Sequence, residues 1–116
     1  MELNEFLQSL NESPDSISFA DTITVIESLY EFNPTSFRNG LLLNESGKNN
    51  GSCKIFSFAR LHGLSQQQTL HCFGAYYRDD VLGKPDDTDH QNTRNFIKTG
   101  WSGIEFDGTP LTPKKQ

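Results

Sequence analysis

The sequence predicts an α+β fold: a helix-dominated single domain with about five helices and a small two- or three-stranded antiparallel sheet. Three observations lead there. Apolar residues recur at helical spacing in successive segments, each bounded by capping or turn residues. Asn39-Gly40 lies between short apolar or β-prone runs, as in a hairpin. The chain has 116 residues, which suits one hydrophobic core. Residues 1–111 are expected to form the domain and 112–116 a frayed tail, since TPLTPKKQ carries two prolines and two lysines.

Leu3, Phe6, Leu7 and Leu10 follow i, i+3, i+4, i+7 spacing, so the first helix begins near the start and stops at Ser13-Pro14-Asp15. Ser18-x-x-Asp21 is a capping pattern ahead of Phe19, Ile23, Ile26 and Tyr30. This predicts a helix over roughly 18–32, halted by Pro34. Strands are expected at 36–38 and 41–43 around Asn39-Gly40. A loop over 44–52 follows, and Asn50-Gly51 supplies a second turn. Cys53 and Phe56 open a helix closed by His62-Gly63. Ser65-x-x-Gln68 then caps what reads as the longest helix, with Leu70, Phe73, Gly74, Tyr77 and Val81 as its buried stripe and Gly83 and Pro85 as its stop. Asp89 is placed to cap a helix over roughly 90–99 with Phe96 and Ile97 inward. Residues 103–106 read as a strand before Asp107-Gly108.

Apolar residues make up only 34% of the chain, but nine are phenylalanine, and large rings fill a small core with few residues. The net charge is −5. Lys114 and Lys115 supply two of the ten basic residues, which leaves 8 basic against 15 acidic elsewhere, or −7. An acidic body without a basic stripe repels nucleic acid and anionic lipid. No apolar run approaches the ~18 residues of a membrane span. Cys53 and Cys72 have no framework spacing, so two buried thiols in a reducing, cytoplasmic setting are expected.

Five motifs carry a family resemblance. They are Glu31-Phe32-x-Pro34-Thr35-x-Phe37-x-Asn39-Gly40; Asn50-Gly51-Ser52-Cys53-Lys54 with Phe56-x-Phe58-Ala59; Phe73-Gly74-x-Tyr76-Tyr77-Arg78; Asp89-His90-x-Asn92-x-Arg94-x-Phe96; and Gly100-Trp101-x-Gly103-x-x-Phe106. In this order they resemble the HopJ type III effector family over about residues 18–111. The resemblance implies no established enzymatic activity, cofactor or catalytic residue. The family's name describes the delivery of one plant-pathogen protein, and similar proteins occur in bacteria with no plant host. Export signals of that kind are polar and disordered over the first ~15–20 residues. Here a periodic helix begins at Leu3, so a cytoplasmic, monomeric protein is expected, with secretion into a host cell as the alternative.

Candidate chemistry concentrates in Asp89-His90-x-Asn92-x-Arg94. His90 and Arg94, at i and i+4, share a helix face and suit an anion or carboxylate; Arg38 and Trp101 join them if the strands pair as expected. Asp89 as a plain cap is the structural reading of the same residues. Cys53 is a candidate reactive thiol near a helix start, with His90 as base and Asn92 as its orienter, although a packed thiol is the favoured reading of Cys53. His62, His71, His90, Cys53 and Cys72 lack the paired short spacings of a zinc site. Asp79, Asp80, Asp86, Asp87 and Asp89 do not match a calcium loop, so no metal or cofactor is expected. Two functions remain: a binding or interaction domain for a small molecule or protein, and a small-molecule enzyme with its site between the 39–54 loop and the 89–101 segment.

Overall fold

Two capping boxes set the helical boundaries in the computed structural model, which describes residues 1–114. α1 (Leu3–Glu12) buries Phe6 and Leu10 against the core. α2 (Phe19–Leu29) starts where the Asp21 N–H donates to Ser18 Oγ at 3.0 Å and the Ser18 N–H donates back to the Asp21 carboxylate at 3.2 Å. The α2 helix ends at Leu29, not near residue 32. Tyr30–Phe32 instead form β1, which pairs antiparallel with β5 (Leu111–Pro113). Tyr30 and Phe32 are aromatic and favour a strand once a partner is available. Leu111 is buried at that partner strand, and Lys114 N–H continues the ladder to the Leu29 carbonyl. Thr112 and Pro113 are therefore held rather than frayed; Lys115 and Gln116 lie outside the described residues.

β2 (Phe37–Asn39), β3 (Leu42–Asn44) and β4 (Ile104–Phe106) form an antiparallel sheet in the order β3-β2-β4. Each strand begins one residue later than its spacing predicts. The hairpin turn is Gly40-Leu41, with Gly40 at φ +62° and Leu41 fully exposed at the tip. Asn39 is pulled out of the turn because its side chain is buried and bonded inside the domain.

α3 (Asn50–Leu61) takes Asn50-Gly51 into its first turn and carries Phe56 to the centre of the core. Phe56 has no exposed surface and meets the rings of Phe37, Phe73, Phe96 and Trp101 at centroid distances of 4.9–6.5 Å. The second capping box forms as its sequence predicts, with Ser65 and Gln68 exchanging hydrogen bonds ahead of α4 (Gln66–His71).

The expected long helix from Ser65 to Val81 does not form. It is cut after Cys72, and a six-residue π-helical segment follows at Tyr76–Val81. Two contacts with α2 explain the break. Thr22 Oγ1 donates to the Cys72 carbonyl at 2.9 Å, engaging an acceptor that a continuing helix would use. Gly74 adopts φ +62°, and a Cβ there would stand 2.6 Å from the Phe19 nitrogen, so the backbone runs directly against the start of α2. α5 (Gln91–Thr99) buries Phe96, but Ile97 is 39% exposed rather than inward. Nor does Asp89 cap α5: His90 occupies the cap position in the left-handed region, at φ 49°.

Candidate functional site

The N-termini of α3 and α5 open into one cleft of about 620 Å³. Leu42, Asn49, Gly51 and Ser52 line one side and Thr88–Thr93 the other, with Phe19, Phe73 and Tyr76 contributed by α2 and the interrupted segment. Beyond the break at Cys72–Gly74, Tyr76 stands against Phe19, while Phe73 packs on Phe56. The Phe19 and Tyr76 rings meet edge to face at 5.1 Å, and the His90 imidazole lies tilted by 31° over Tyr76 at 5.0 Å. Gly51 leaves room for this wall, because a Cβ there would stand 2.8 Å from Phe19 Cζ.

Both helices begin in the same unusual way. Asn49 and His90, the described non-glycine residues with positive φ, are the residues before α3 and α5, and neither caps its helix with its side chain. Left-handed backbone followed by a helical turn directs successive N–H groups into a concavity. The first-turn N–H groups have no acceptor within the helix.

Asparagine side chains lock the two starts together. Asn92 and Asn44 exchange amide hydrogen bonds at 2.9 and 3.0 Å. Asn39 Nδ2 donates to both oxygens of Asn92, and Asn49 Nδ2 donates to Asn44 Oδ1 at 2.7 Å. Asn39, Asn44 and Asn92 are all buried. Such a network holds its members in one arrangement because leaving any buried amide unbonded is costly. Asn39 Oδ1 is left without a partner among the described residues.

Arg94 fixes the opposite rim. It is 8% exposed and donates to the Lys84 carbonyl at 2.8 Å, the Asp89 carbonyl at 2.6 Å and the Asp89 carboxylate at 2.6 Å. The hydrogen bond from Arg94 holds the Asp89 carboxyl below the usual carboxylate range, opposed by partial desolvation and supported by His90. His90 Nε2 lies 3.0 Å from the Asp80 carboxylate and 3.8 Å from that of Asp89.

The structure thus gathers Asp89, His90 and Asn92 at one cleft and sets Arg94 beneath it as a clamp rather than on an open face. Arg38 and Trp101 stand elsewhere. Arg38 pairs across the sheet with Leu43 and Glu105, beside Asp107. The indole N–H of Trp101 donates to the Leu64 carbonyl at 3.1 Å, and its ring packs on Phe96 and under Arg60. The strands pair, but β2 holds Arg38, and the 3-10 turn Gly100–Gly103 ahead of β4 holds Trp101, away from the cleft.

Cys53 is 1% exposed, with its thiol directed at the Thr35 carbonyl 3.7 Å away. Burial pushes it up to about 11 and pushes Cys72 up to about 12. Neither thiol is nucleophilic at neutral pH. Both folded values lie above the ordinary thiol range, so each thiol's contribution is intact below about 9 and is lost as pH rises beyond that. Iodoacetamide at pH 8 is expected to label neither cysteine in the folded protein and both after unfolding. Native labelling of Cys53 would return it to candidacy. Burial also lowers His62 and His71. Among the described residues no group of three or more His, Cys, Asp or Glu could hold a metal ion.

Phe19, Phe73, Tyr76, Ser52 and Thr93 were not singled out as site residues from the sequence, because long-range packing brings them together. A signal did exist for the asparagine network: Asn39, Asn44 and Asn49 crowd one short segment, more than its turns require.

The comparisons agree with this architecture. No curated protein matches the chain. A solved structure described as "Crystal structure of unknown function protein VPA0580" is 52% identical and superposes with a TM-score of 0.96, covering 98% of this chain and 95% of that one. The family model for HopJ type III effector protein matches residues 3–111. The chain therefore belongs to the HopJ type III effector protein family.

Proposed function

We propose that this protein is a small cytoplasmic binding domain, monomeric, that takes a small molecule into the cleft between α3 and α5. The carrying observation is the cleft itself. At about 620 Å³ it falls within the size range of ligand sites. Its aromatic wall supplies contact area, and its polar rim is held rigid by buried asparagines and Arg94. Rigid sites lose less ordering entropy on binding. The two buried free thiols favour a reducing compartment, and no described helix is long and apolar enough to cross a membrane. The acidic balance of the chain disfavours nucleic acid as the partner.

Thermal-shift screening of a metabolite library against the wild type and Ser52→Phe tests this reading. Ser52 is half-buried at the cleft wall, and a phenyl ring there occupies the ligand volume. At least one compound is expected to raise the wild-type Tm by a few degrees and leave the variant unmoved. Hits that stabilise both proteins equally would place binding elsewhere.

A second reading, a small-molecule enzyme at the same cleft, draws on the His90–Asp80 contact of 3.0 Å at its rim. A histidine oriented by a carboxylate has the form of a general base. For the enzyme, His90→Gln abolishes turnover of the bound compound while leaving its binding intact. For the binding domain, the wild type leaves the bound compound chemically unchanged.

A further inference from the structure

We propose that the ligand of this cleft carries an oxyanion, a carboxylate or phosphate group, seated between the N-termini of α3 and α5 with the Thr93 hydroxyl as donor, and a planar apolar part lying against Phe19 and Tyr76. This rests on the cleft being the ligand site and adds the class of ligand.

Thr93 provides the observation independent of the helix ends. It is 3% exposed, lines the cleft, and its hydroxyl bonds to no protein group among the described residues. That is unusual here. Thr22, Thr69 and Thr99 each donate to the carbonyl four residues back. The corresponding acceptor for Thr93, the Asp89 carbonyl, accepts instead from Arg94 Nε at 2.6 Å. Asn39 Oδ1 is the fully enclosed unpartnered side-chain atom among the described residues, so the Thr93 hydroxyl retains access, and the opening that Thr93 lines is the cleft. A buried hydroxyl kept from its usual partner and facing a cavity is a donor held ready for a ligand.

The helix ends supply the charge that such a donor needs. α3 has twelve residues and α5 nine, and both direct the positive ends of their dipoles at the cleft without a side-chain cap. The charges facing this seat can be named. Asp89 lines the cleft, but its carboxylate is held by Arg94 at 2.6 Å. Asp80 is held by His90 at 3.0 Å. Among the described residues no lysine or arginine lines the cleft. An oxyanion would thus be bound by N–H and O–H dipoles, which favours a single carboxylate or phosphate group over a polyphosphate.

Backbone-resolved NMR titration of the full chain tests the proposal, with phenyl phosphate, benzoate, inorganic phosphate and benzyl alcohol as probes. Phenyl phosphate or benzoate is expected to shift the amides of Gly51, Ser52 and Thr93 saturably. Benzyl alcohol should bind about tenfold more weakly or not at all, the difference two helix termini can supply. Comparison of phenyl phosphate with benzoate distinguishes the two sources of the anion, and inorganic phosphate reads the seat without the aromatic part. Thr93→Val keeps the side-chain shape and is expected to weaken the aromatic anions about fivefold, with Thr93→Ser restoring binding. Benzyl alcohol shifting the same amides as tightly as the anions would overturn the oxyanion while leaving the small-molecule reading intact. Failure of every probe would also overturn the oxyanion, and the library screen would then decide the small-molecule reading alone.

Discussion

Phe56→Ala is expected to lower stability by about 3–5 kcal/mol, a large share of the ~5–15 kcal/mol that holds a domain of this size together. Phe56 is fully buried and contacts rings from β2, α5, and the segments around Phe73 and Trp101. Truncation leaves a cavity bounded by four aromatic side chains, and rings of that size cannot all move inward together. Urea unfolding monitored at Trp101 measures the loss directly. Phe106→Ala provides the comparison: Phe106 is only partly buried and packs on Phe37 at the edge of the sheet, so its loss should be clearly smaller. Equal losses would mean that the core is not organised around α3.

Arg94→Met should cost about 2–4 kcal/mol, and its effect should be local as well as global. Methionine keeps much of the buried stem but removes every donor. The carbonyls of Lys84 and Asp89 then lose their partners, and the 84–89 segment loses what fastens it to α5. Limited proteolysis should move to that segment, and the His90 and Gln91 amides should broaden. The acid dependence should change too. Arg94 holds the folded Asp89 carboxyl below the usual range, so this contribution is present above the ordinary value and is lost as pH falls through the lowered one. In Arg94→Met, that part of the acid-induced loss should disappear. A variant as stable as the wild type, cut at the same sites, would show that the clamp contributes nothing.

Much of this was legible from sequence wherever interactions were local. Ser18 with Asp21 and Ser65 with Gln68 are contained within single turns, and both capping boxes form as their sequences specify. Strands around Asn39-Gly40 and at 103–106 were likewise recoverable, to within one residue. The misreadings trace to partners far along the chain. Tyr30 continues a helical apolar face, and only Leu111–Pro113 makes it a strand. Leu70, Phe73, Tyr77 and Val81 describe one uninterrupted stripe, and only Thr22 and the Phe19 backbone reveal why the helix breaks within it.

For the cleft, the same division applies. Asp89, His90 and Asn92 were visible as a polar cluster. Arg94 read as an anion-binding partner of His90 on one helix face, because nothing in the sequence shows the carbonyls it reaches. Arg38 and Trp101 depended on a sheet whose pairing was foreseen but whose facing was not. The aromatic wall was hidden in Phe19 and Phe73, which read as ordinary core, and in Tyr76, which read as an ordinary amphipathic boundary.

The pairing of β1 with β5 has a consequence for how the chain is made. Glu31 meets Thr112 across most of the sequence, so the strand that follows α2 waits unpaired while the rest is synthesised. Long-range pairings of this kind form late, since a large loop must close before they stabilise anything. On the ribosome, α1 and α2 emerge first, but their docking is sealed only after residue 113 has cleared the exit tunnel. A stalled or shortened product would present Tyr30–Phe32 as an open edge, a surface prone to pairing with other chains.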